Sequence, residues 1–569
     1  MTSETGGDIR PGPTLGIRHA VPALLLVGLV LFFFRLEVPG LMDPDEGRYA
    51  EIAREMLLLK DWLIPHLNLL PYLEKPPLVY WLTALSFKVL GFSELAARLP
   101  SALCALGGII LAYYLGKAFW GAAAGMLSAL VLATCGGYVV MGRLLTLDMA
   151  LTFFLNLGVG LGYLAMSRER RYLWWWAYLA LALGVLTKGP VALVLAAIIW
   201  TTTAWAQSRP WVRSWLHPWP LALLAAVSLP WFLVVTIRYP DFWRFFILEQ
   251  HLGRYLTPYI HHQHSFFYYL PILLAFMLPW CLLLPWALGR QKVRGNPDRV
   301  FLLIWAGVVL CFFTLSRGKL APYILPALLP LALLVGQALW EVAGRRLADS
   351  RGLRLTLGLW AILCWVALGL YIWPPAFLKP LVLQGALVTP CALLGVVILA
   401  LTPSFNLILR RVGVLFVGAF LLGTLVFWGM EKVSEQRSPR DLALILKSRW
   451  RPGAGLVGYR LYSQGISFYS GQIFHILEFS TELDYGRKLV PQNSLFFRTP
   501  EEMLSWAKAR PMVFFFMKPR DLGRLQEELP GKFRLLGWYK NSILVSYEGS
   551  SWHAENRMVP AGPMLTNSN

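Results

Sequence analysis

The chain has 569 residues, of which 57% are hydrophobic and 15% are charged, and it contains 25 tryptophans. This composition excludes an ordinary soluble protein and is typical of a polytopic membrane protein. The formal charge of +21 does not indicate nucleic-acid binding, because most of the excess Lys and Arg lies in short loops between apolar segments, where the positive-inside rule places it.

The first apolar segment follows Arg10 and Arg18, and no small-residue cleavage site comes after it. It is therefore predicted to be a retained transmembrane helix rather than a signal peptide. Runs of about 20 apolar residues predict thirteen transmembrane helices in all. They are placed at 19–38, 94–118, 121–141, 144–166, 173–187, 189–206, 218–237, 268–289, 299–315, 321–342, 355–374, 381–402 and 412–430. The basic loops fall on the side of the N-terminus, which makes that side cytoplasmic in a bacterial inner membrane and the other side periplasmic.

The most polar stretch of the first half, residues 42–51, follows the first span. Asp43 is predicted as N-cap, Pro44 as first helical residue and Glu46 as the partner in a capping box, for a helix that ends near Leu59. Asp45 heads an apolar face of this amphipathic helix, where a carboxylate is costly unless it has a partner or a task. Two interpretations stay open: a functional acid, or a first-turn acid favoured by the helix dipole.

The double proline at Pro76 and Pro77 predicts a short interfacial helix from Leu78 to Leu90. Residues 39–93 are accordingly expected to form a periplasmic loop with juxtamembrane amphipathic helices. This loop is counted within a transmembrane catalytic domain that covers residues 1–430.

Beyond residue 430 the hydropathy falls, and short β-rich runs alternate with helical ones. This pattern predicts a soluble periplasmic α/β domain over 431–557, followed by a disordered tail at 558–569. Strands are expected near 456–459, 473–479, 494–497, 512–517 and 543–547. Thr499 and Pro500 predict a helix start, with Thr499 as the N-cap.

Several basic residues are expected on the periplasmic side, in or beside apolar elements: Lys75, Lys188, Arg254 and Lys319. Such groups can hold a phosphate, to which Tyr323, one turn beyond Lys319, can add a hydroxyl donor. A phosphate held at the interface beside apolar spans fits a polyprenyl phosphate. The alternative is that some of these side chains only reach lipid headgroups by snorkelling.

Arg143 and Asp148 either pair structurally near a helix end or serve function. Glu74 with His251 and His264 offers ligands for a divalent cation, the one cofactor considered, although their spacing matches no compact zinc motif and clustered surface histidines often bind no metal. The sequence contains no Walker loop and no Gly-rich loop after a strand, so nucleotide binding has no support.

Five motifs in this order carry a family resemblance: residues 43–51, residues 74–81, Arg143 to Asp148, Leu186 to Pro190 and Lys319 to Pro326. Together they resemble the bacterial GT-C glycosyltransferases of the protein O-mannosyltransferase superfamily, and most closely the lipid A aminoarabinose transferases (the ArnT family, family 83). The tail resembles that family's periplasmic domain in placement, size and the stretch from Tyr462 to Tyr469.

The resemblance implies an inverting glycosyltransferase that moves a sugar, aminoarabinose in this family, from undecaprenyl phosphate to lipid A on the periplasmic face. The site residues it implies fall into two groups. The expected catalytic residues are Asp45, Glu46 and Asp148. The expected donor-phosphate contacts are Lys75, Lys188, Arg254, Lys319 and Tyr323. Two rivals stay open: the same fold acting on proteins or polysaccharides, and a flippase for lipid-linked sugars, which the absence of paired broken helices in two halves disfavours.

Overall fold

The computed structural model describes residues 19–208, 215–253, 255, 264–289, 296–344, 358–359, 408–479, 482–491 and 494–549. The chain divides into two compact units. The first consists of Met1–Pro39 and Glu74–Lys432, and the second of Gly40–Leu73 and Val433–Asn569. The sequence analysis assigns residues 39–93 to the membrane domain, whereas packing groups Gly40–Leu73 with the C-terminal part.

The first unit is helical, and its helices follow the predicted spans closely. Their bounds are Ala20–Gly28, Leu29–Phe33, Leu78–Leu90, Glu94–Trp120, Ala122–Ala133, Gly136–Gly142, Leu147–Ser167, Leu173–Lys188, Val191–Ala206, Pro218–Arg238, Arg244–Gly253, Phe266–Tyr268, Tyr269–Met277, Trp280–Leu282, Leu284–Gly289, Pro297–Leu315, Ala321–Ala327, Leu328–Gly344 and Ile408–Arg437. The boundary between the units falls inside the last of these. The predicted bounds of the helix Leu78–Leu90 are confirmed at both ends, and its interfacial location stays a prediction.

Within the described ranges, five helices are long and apolar enough to cross a membrane, or seven if each bent pair counts as one span. One bent pair, Ala122–Ala133 with Gly136–Gly142, turns by 68°, and the other, Phe266–Met277 with Trp280–Gly289, turns by 114°. These elements make a multi-pass membrane protein. The total of thirteen stays a prediction, because the spans predicted at 355–374 and 381–402 lie outside the described residues.

Helix starts in the first unit follow local capping chemistry. Ser93 accepts a hydrogen bond from the backbone N–H of Ala96 at 3.2 Å, and this fixes the start of Glu94–Trp120. Asn296 caps Pro297–Leu315 in the same way. A side-chain oxygen at the N-cap satisfies a backbone donor that the helix itself leaves unpaired.

Two buried arginines hold the chain where the first apolar segment ends. Arg143 donates to the carbonyl oxygens of Leu31, Phe34 and Arg35 at 2.9–3.2 Å. Arg98 donates to carbonyls further along, at residues 36 and 39. Carbonyls at a helix end lack intrahelical partners, and a guanidinium can satisfy several at once. The alternative in which Arg143 pairs with Asp148 is wrong.

The second unit contains a six-stranded mixed sheet in the order β5-β4-β3-β6-β8-β7. Its strands are β3 (Gly455–Tyr459), β4 (His475–Leu477), β5 (Phe496–Phe497), β6 (Met512–Met517), β7 (Gly531–Tyr539) and β8 (Ser542–Gly549). Strand β3 pairs in parallel with β4 and with β6, and β4 pairs in parallel with β5. Strand β8 is antiparallel to both β6 and β7. The five predicted strands are confirmed, and β7 was not predicted.

Short helices accompany the sheet. They are Arg440–Arg449, Gln464–Ser470, Asp484–Leu489, Pro500–Lys508, Pro519–Asp521 and Leu522–Glu528. Thr499 accepts from the backbone N–H of Glu502 at 3.3 Å, so the predicted cap of Pro500–Lys508 is confirmed. A buried apolar core that includes Val457, Phe515 and Val545 lies between sheet and helices.

The loop segment, Gly40–Leu73, contributes a helix and a small hairpin to this unit. The loop helix spans Asp45–Leu59, and β1 (His66–Leu67) pairs with β2 (Leu70–Pro71) in antiparallel. The predicted amphipathic pattern of the helix is wrong, because Glu51 and Glu55 are as buried as Ile52 and Met56. These carboxylates are tolerated because each has hydrogen-bond donors, Arg54 for Glu51 and two backbone amides for Glu55.

Replacement of Gly47 by Ala tests the packing of the loop helix. A Cβ at Gly47 would lie 2.1 Å from Asp43 Oδ1 and 2.7 Å from the Gly465 nitrogen. We expect Gly47→Ala to lower the free energy of unfolding of the second unit by about 1–3 kcal/mol. The matched control is Gly523→Ala, where a Cβ meets nothing within 4 Å, and which should be neutral or stabilising by up to about 1 kcal/mol. Hydrogen exchange of the whole chain in detergent measures both; equal exchange in the two variants would contradict the expected contact.

Candidate functional site

A lysine held by a carboxylate and an aromatic ring forms the centre of the candidate site in the first unit. Lys188 ends the helix Leu173–Lys188, and Asp148 lies in the first turn of Leu147–Ser167. Lys188 Nζ lies 2.5 Å from Asp148 Oδ1 and 4.5 Å from the centre of the Tyr323 ring. Three predicted site residues are thus brought together, and the ammonium group is oriented by an ion pair and a cation–π contact.

His251 lies against the turn that follows Lys188. Its Nε2 is 3.2 Å from the Lys188 carbonyl oxygen, and its Nδ1 is 2.7 Å from the carbonyl oxygen of Phe246. Gly189 adopts φ +82°, and a Cβ there would lie 2.6 Å from His251 Nε2. The turn therefore requires glycine both for its backbone conformation and for the close approach of the imidazole.

The metal group proposed from Glu74, His251 and His264 does not form. In the part of the chain that the structure describes, no three His, Cys, Asp or Glu residues are placed to hold a metal ion. Both ring nitrogens of His251 face carbonyl oxygens, whereas a metal ligand needs a nitrogen lone pair aimed at the ion. The His264 ring instead stacks on Tyr268 with centroids 4.1 Å apart.

The remaining predicted phosphate contacts have separate environments. Lys319 is buried and donates to the Ser316 carbonyl oxygen at 2.7 Å. Lys75 is also buried, and its Nζ donates to the Glu74 carbonyl oxygen at 3.1 Å. Arg254 lies outside the described residues. Each of these two lysines is oriented by a backbone carbonyl oxygen that accepts from its ammonium group.

The second unit contains the other predicted catalytic residues, both on the loop helix. Asp45 has a side chain that is 60% exposed, with Arg48 Nη2 3.5 Å from its carboxylate. Glu46 is buried and accepts from the Met42 backbone N–H at 3.0 Å. The exposed carboxylate of Asp45 is available to another molecule, whereas that of Glu46 is committed to the backbone of the helix start.

Asp43 does not cap the loop helix as predicted. Pro44 precedes the helix without a side-chain cap, and the buried Asp43 carboxylate accepts instead from Ser463 Oγ at 2.5 Å and from the Gly465 N–H at 2.9 Å. Burial raises the pKa of Asp43 to about 6, while the hydrogen bond from Ser463 and the charges of Lys540 and Arg48 oppose this rise. Removal from water disfavours the charged form more than these partners favour it.

Sequence reasoning missed the contacts of Asp43 and His251, since the partners lie far away along the chain. Asn68 was also missed. It is fully buried, and its side chain contacts the backbone of Phe474. Its positive φ of 53° is one that Asn tolerates better than most residues, and a single Asn between Leu67 and Leu69 is the signal that could have found it.

Comparison with known proteins finds one matching family model, dolichyl-phosphate-mannose-protein mannosyltransferase, over residues 19–246. Among curated proteins, the undecaprenyl phosphate-alpha-4-amino-4-deoxy-L-arabinose arabinosyl transferase of Pseudomonas paraeruginosa is 40% identical over 370 residues, 62% of this chain and 65% of that protein. The protein of the same name from Pectobacterium carotovorum is 36% identical over 374 residues, 63% of this chain and 66% of that protein. The matches thus span slightly less than two thirds of these relatives.

Solved structures give a longer match. The crystal structure of ArnT from Cupriavidus metallidurans bound to undecaprenyl phosphate superimposes with a TM-score of 0.81 at 26% identity, covering 92% of this chain and 97% of that one. The apo structure of the same protein gives a TM-score of 0.79 with the same coverage. The predicted resemblance is therefore confirmed.

The raised pKa of Asp43 predicts a pH dependence of stability. The folded state binds this proton more tightly than the unfolded state, so the stability contributed by Asp43 is complete near pH 4 and falls as the pH rises to about 6. A difference of about two pKa units corresponds to roughly 3 kcal/mol. We expect Asp43→Asn to unfold like the wild type at pH 4 and to be more stable at pH 7, measured by hydrogen exchange of the second unit. A variant that is equally stable or weaker at pH 7 would contradict the buried charge.

Proposed function

From its similarity to ArnT proteins, we propose that the chain is an ArnT-like GT-C protein and an inverting glycosyltransferase. Its donor is proposed to be undecaprenyl phosphate linked to 4-amino-4-deoxy-L-arabinose, and its acceptor a phosphate group of lipid A. The reaction takes place on the periplasmic face of the bacterial inner membrane. The names of the curated relatives and of the solved structure support the donor.

The observation that carries this proposal is the oriented ammonium group of Lys188. Its charge is balanced by Asp148, and its direction is fixed by the Tyr323 ring. The ammonium group of Lys188 can donate a hydrogen bond to a phosphate oxygen while it keeps another to Asp148, so neither side chain is left as an unpaired charge. Lys188, Tyr323, Lys75, Lys319 and Arg254 are the proposed contacts of the donor phosphate.

In the reaction, the bond between the anomeric carbon and the phosphate oxygen breaks as the acceptor oxygen forms its bond from the opposite side. The leaving group is a lipid phosphate whose negative charge grows during this step. Fixed cations stabilise that charge in the transition state, and they need no reorganisation because the protein already holds them. Asp148 serves by holding Lys188, since its own carboxylate is neutralised in the ion pair.

The task of Asp45 depends on the acceptor. A lipid A phosphate is already an anion, so Asp45 then orients a cation or holds the ammonium group of the amino sugar. A hydroxyl acceptor has to lose a proton, and Asp45 then acts as general base. Glu46 supports the start of the loop helix in either case, through its hydrogen bond from Met42.

A second candidate acceptor is a protein or a polysaccharide. The observation that favours it is the family model over residues 19–246, whose description names a protein mannosyltransferase. The chemistry at the donor is the same in both candidates. They differ in the acceptor alone, which makes the product the deciding measurement.

The test is mass spectrometry of lipid A from donor-producing cells that express the wild type or single variants. We expect the wild type to add aminoarabinose and Asp45→Asn to lower the rate about a hundredfold, because the reacting groups are then no longer held in place. Lys188→Gln should weaken the reaction roughly tenfold to a hundredfold, mainly through the donor KM, because a charged hydrogen bond to the phosphate is lost.

Matched controls separate these effects from general damage. Asp441 is likewise an exposed acid in the first turn of a helix. We expect Asp441→Asn to retain wild-type activity, which would show that the loss of an acid from a first helical turn does not by itself explain the effect of Asp45→Asn. Lys88 is an exposed lysine of the first unit, and Lys88→Gln should retain activity. Unmodified lipid A in well-expressing cells would refute the lipid A proposal, and a new glycoprotein or glycan in the same cells would favour the second candidate.

A further inference from the structure

The loop segment is hydrogen-bonded near both of its ends to residues 433–549 of the second unit. We propose that Asp43 and Asn68 are positioning residues: they fasten the two ends of this segment to the sheet-containing part of the unit, and so hold the loop helix with Asp45 in the orientation that sugar transfer requires. The role of that orientation rests on the proposed function, whereas the fastening itself rests on contacts within the second unit.

The first attachment is at Asp43, two residues before Asp45. Its carboxylate accepts from the hydroxyl of Ser463 at 2.5 Å and from the N–H of Gly465 at 2.9 Å. Its backbone N–H donates to the Arg437 carbonyl oxygen at 3.0 Å. Side chain and backbone of one residue are therefore both bound, which fixes the position at which the chain enters the loop helix.

Close backbone packing reinforces this attachment. Gly47 faces Gly465 so closely that a Cβ on Gly47 would lie 3.0 Å from the Gly465 Cα. A Cβ on Gly465 would in turn lie 2.7 Å from Asp43 Oδ1. The first turn of the loop helix thus contacts the Gly465 backbone directly, and the hydrogen bonds of Asp43 fix the helix in that contact.

The second attachment is at Asn68, beyond the other end of the loop helix. The side-chain amide of Asn68 donates to the Phe474 carbonyl oxygen at 3.0 Å and accepts from the Phe474 N–H at 2.9 Å. Glu55 of the loop helix accepts from the backbone N–H groups of Asn68 and Leu69 at 2.7 and 2.9 Å. The helix is therefore bound to the turn, and the turn is bound to the chain just before β4.

Asp45 itself contributes little to its own placement. Its side chain is largely exposed, and its ion pair with Arg48 is long at 3.5 Å. The direction of this carboxylate is consequently set by the helix on which it stands. Since a misplacement of about 1 Å of a reacting group can cost a hundredfold in rate, residues that fix the helix control the rate without touching the substrate.

The experiment compares Asp43→Ala, Asp43→Asn and Asn68→Gly in the whole purified chain. Asn at 43 can still accept from Gly465 and donate to Ser463, so it should rescue what Ala loses. Glycine at 68 tolerates the positive φ and removes only the side chain. Glu478→Gln is the control, because it alters an exposed ion pair with Arg460 in the same unit.

Three quantities are measured: amide exchange of residues 45–59, the stoichiometry of undecaprenyl phosphate binding, and kcat per binding site. We expect exchange at least tenfold faster and kcat at least tenfold lower in Asp43→Ala and Asn68→Gly, with unchanged stoichiometry and donor KM. Asp43→Asn should keep kcat within twofold of the wild type and exchange no faster than it, and Glu478→Gln should stay within twofold in both quantities. Unchanged stoichiometry shows that the donor site is intact, which general misfolding would not allow.

The positioning role is overturned if Asp43→Asn is as inactive as Asp43→Ala, because the charge itself would then be needed. It is also overturned if exchange quickens while kcat per site is retained, or if exchange does not change. A wild type that transfers to neither lipid A nor another acceptor refutes the proposed function instead. In that case the exchange measurement alone decides on the fastening, since it requires no turnover.

Discussion

The charged side chains buried in this protein depend on having hydrogen-bond partners of their own. A charge removed from water costs far more than a surface ion pair returns, unless other groups replace the lost hydration. Arg143 meets this condition with three carbonyl oxygens, Glu51 with the fork of Arg54, and Lys188 with Asp148. Each of these hydrogen-bond partners also fixes the orientation of the charged side chain. The residues that compensate for the lost hydration therefore also determine the local geometry.

The two units use this constraint in different ways. In the first, Asp148 and the Ser316 carbonyl oxygen hold the ammonium groups of Lys188 and Lys319. In the second, the buried carboxylate of Asp43 joins segments that are distant in the sequence, and that of Glu55 joins the loop helix to the turn at Asn68. Buried charged residues thus orient ammonium groups in one unit and join chain segments in the other. The neighbours of each residue determine which of the two tasks it performs.

Local features of the fold were predictable from the sequence because their causes are local. The double proline indicated the start of Leu78–Leu90, and Thr499 with Pro500 indicated the start of Pro500–Lys508. Strand β6 is an uninterrupted apolar run, and its predicted and observed bounds agree. Strand β7 was missed, since it is an edge strand with mostly exposed residues and a bulge, and so lacks a readable alternation.

The site was predictable to the extent that its residues carry charge in apolar surroundings. Asp148 and Lys188 were found in this way and Tyr323 by its spacing from Lys319, and the structure brings the three together. The pairing of Asp148 with Lys188, and of Asp43 with Ser463, could not be derived, because each joins residues that are 40 or 420 positions apart. The metal hypothesis failed for a related reason: residue type suggested ligands, whereas the contacts of His251 use both nitrogens for the backbone.

The discontinuous second unit has a consequence for biosynthesis. Its loop segment leaves the ribosome before residues 74–432, and the strands that complete the unit come after them. At translation rates of about 5–20 residues per second, the loop segment waits roughly 20–70 s for its partner. During this interval the side chains of Asp43 and Asn68 lack the protein groups that later bind them, and water must satisfy them instead. The nascent chain therefore passes through a stage in which its membrane helices can be inserted while the segment with Asp45 is still unfolded.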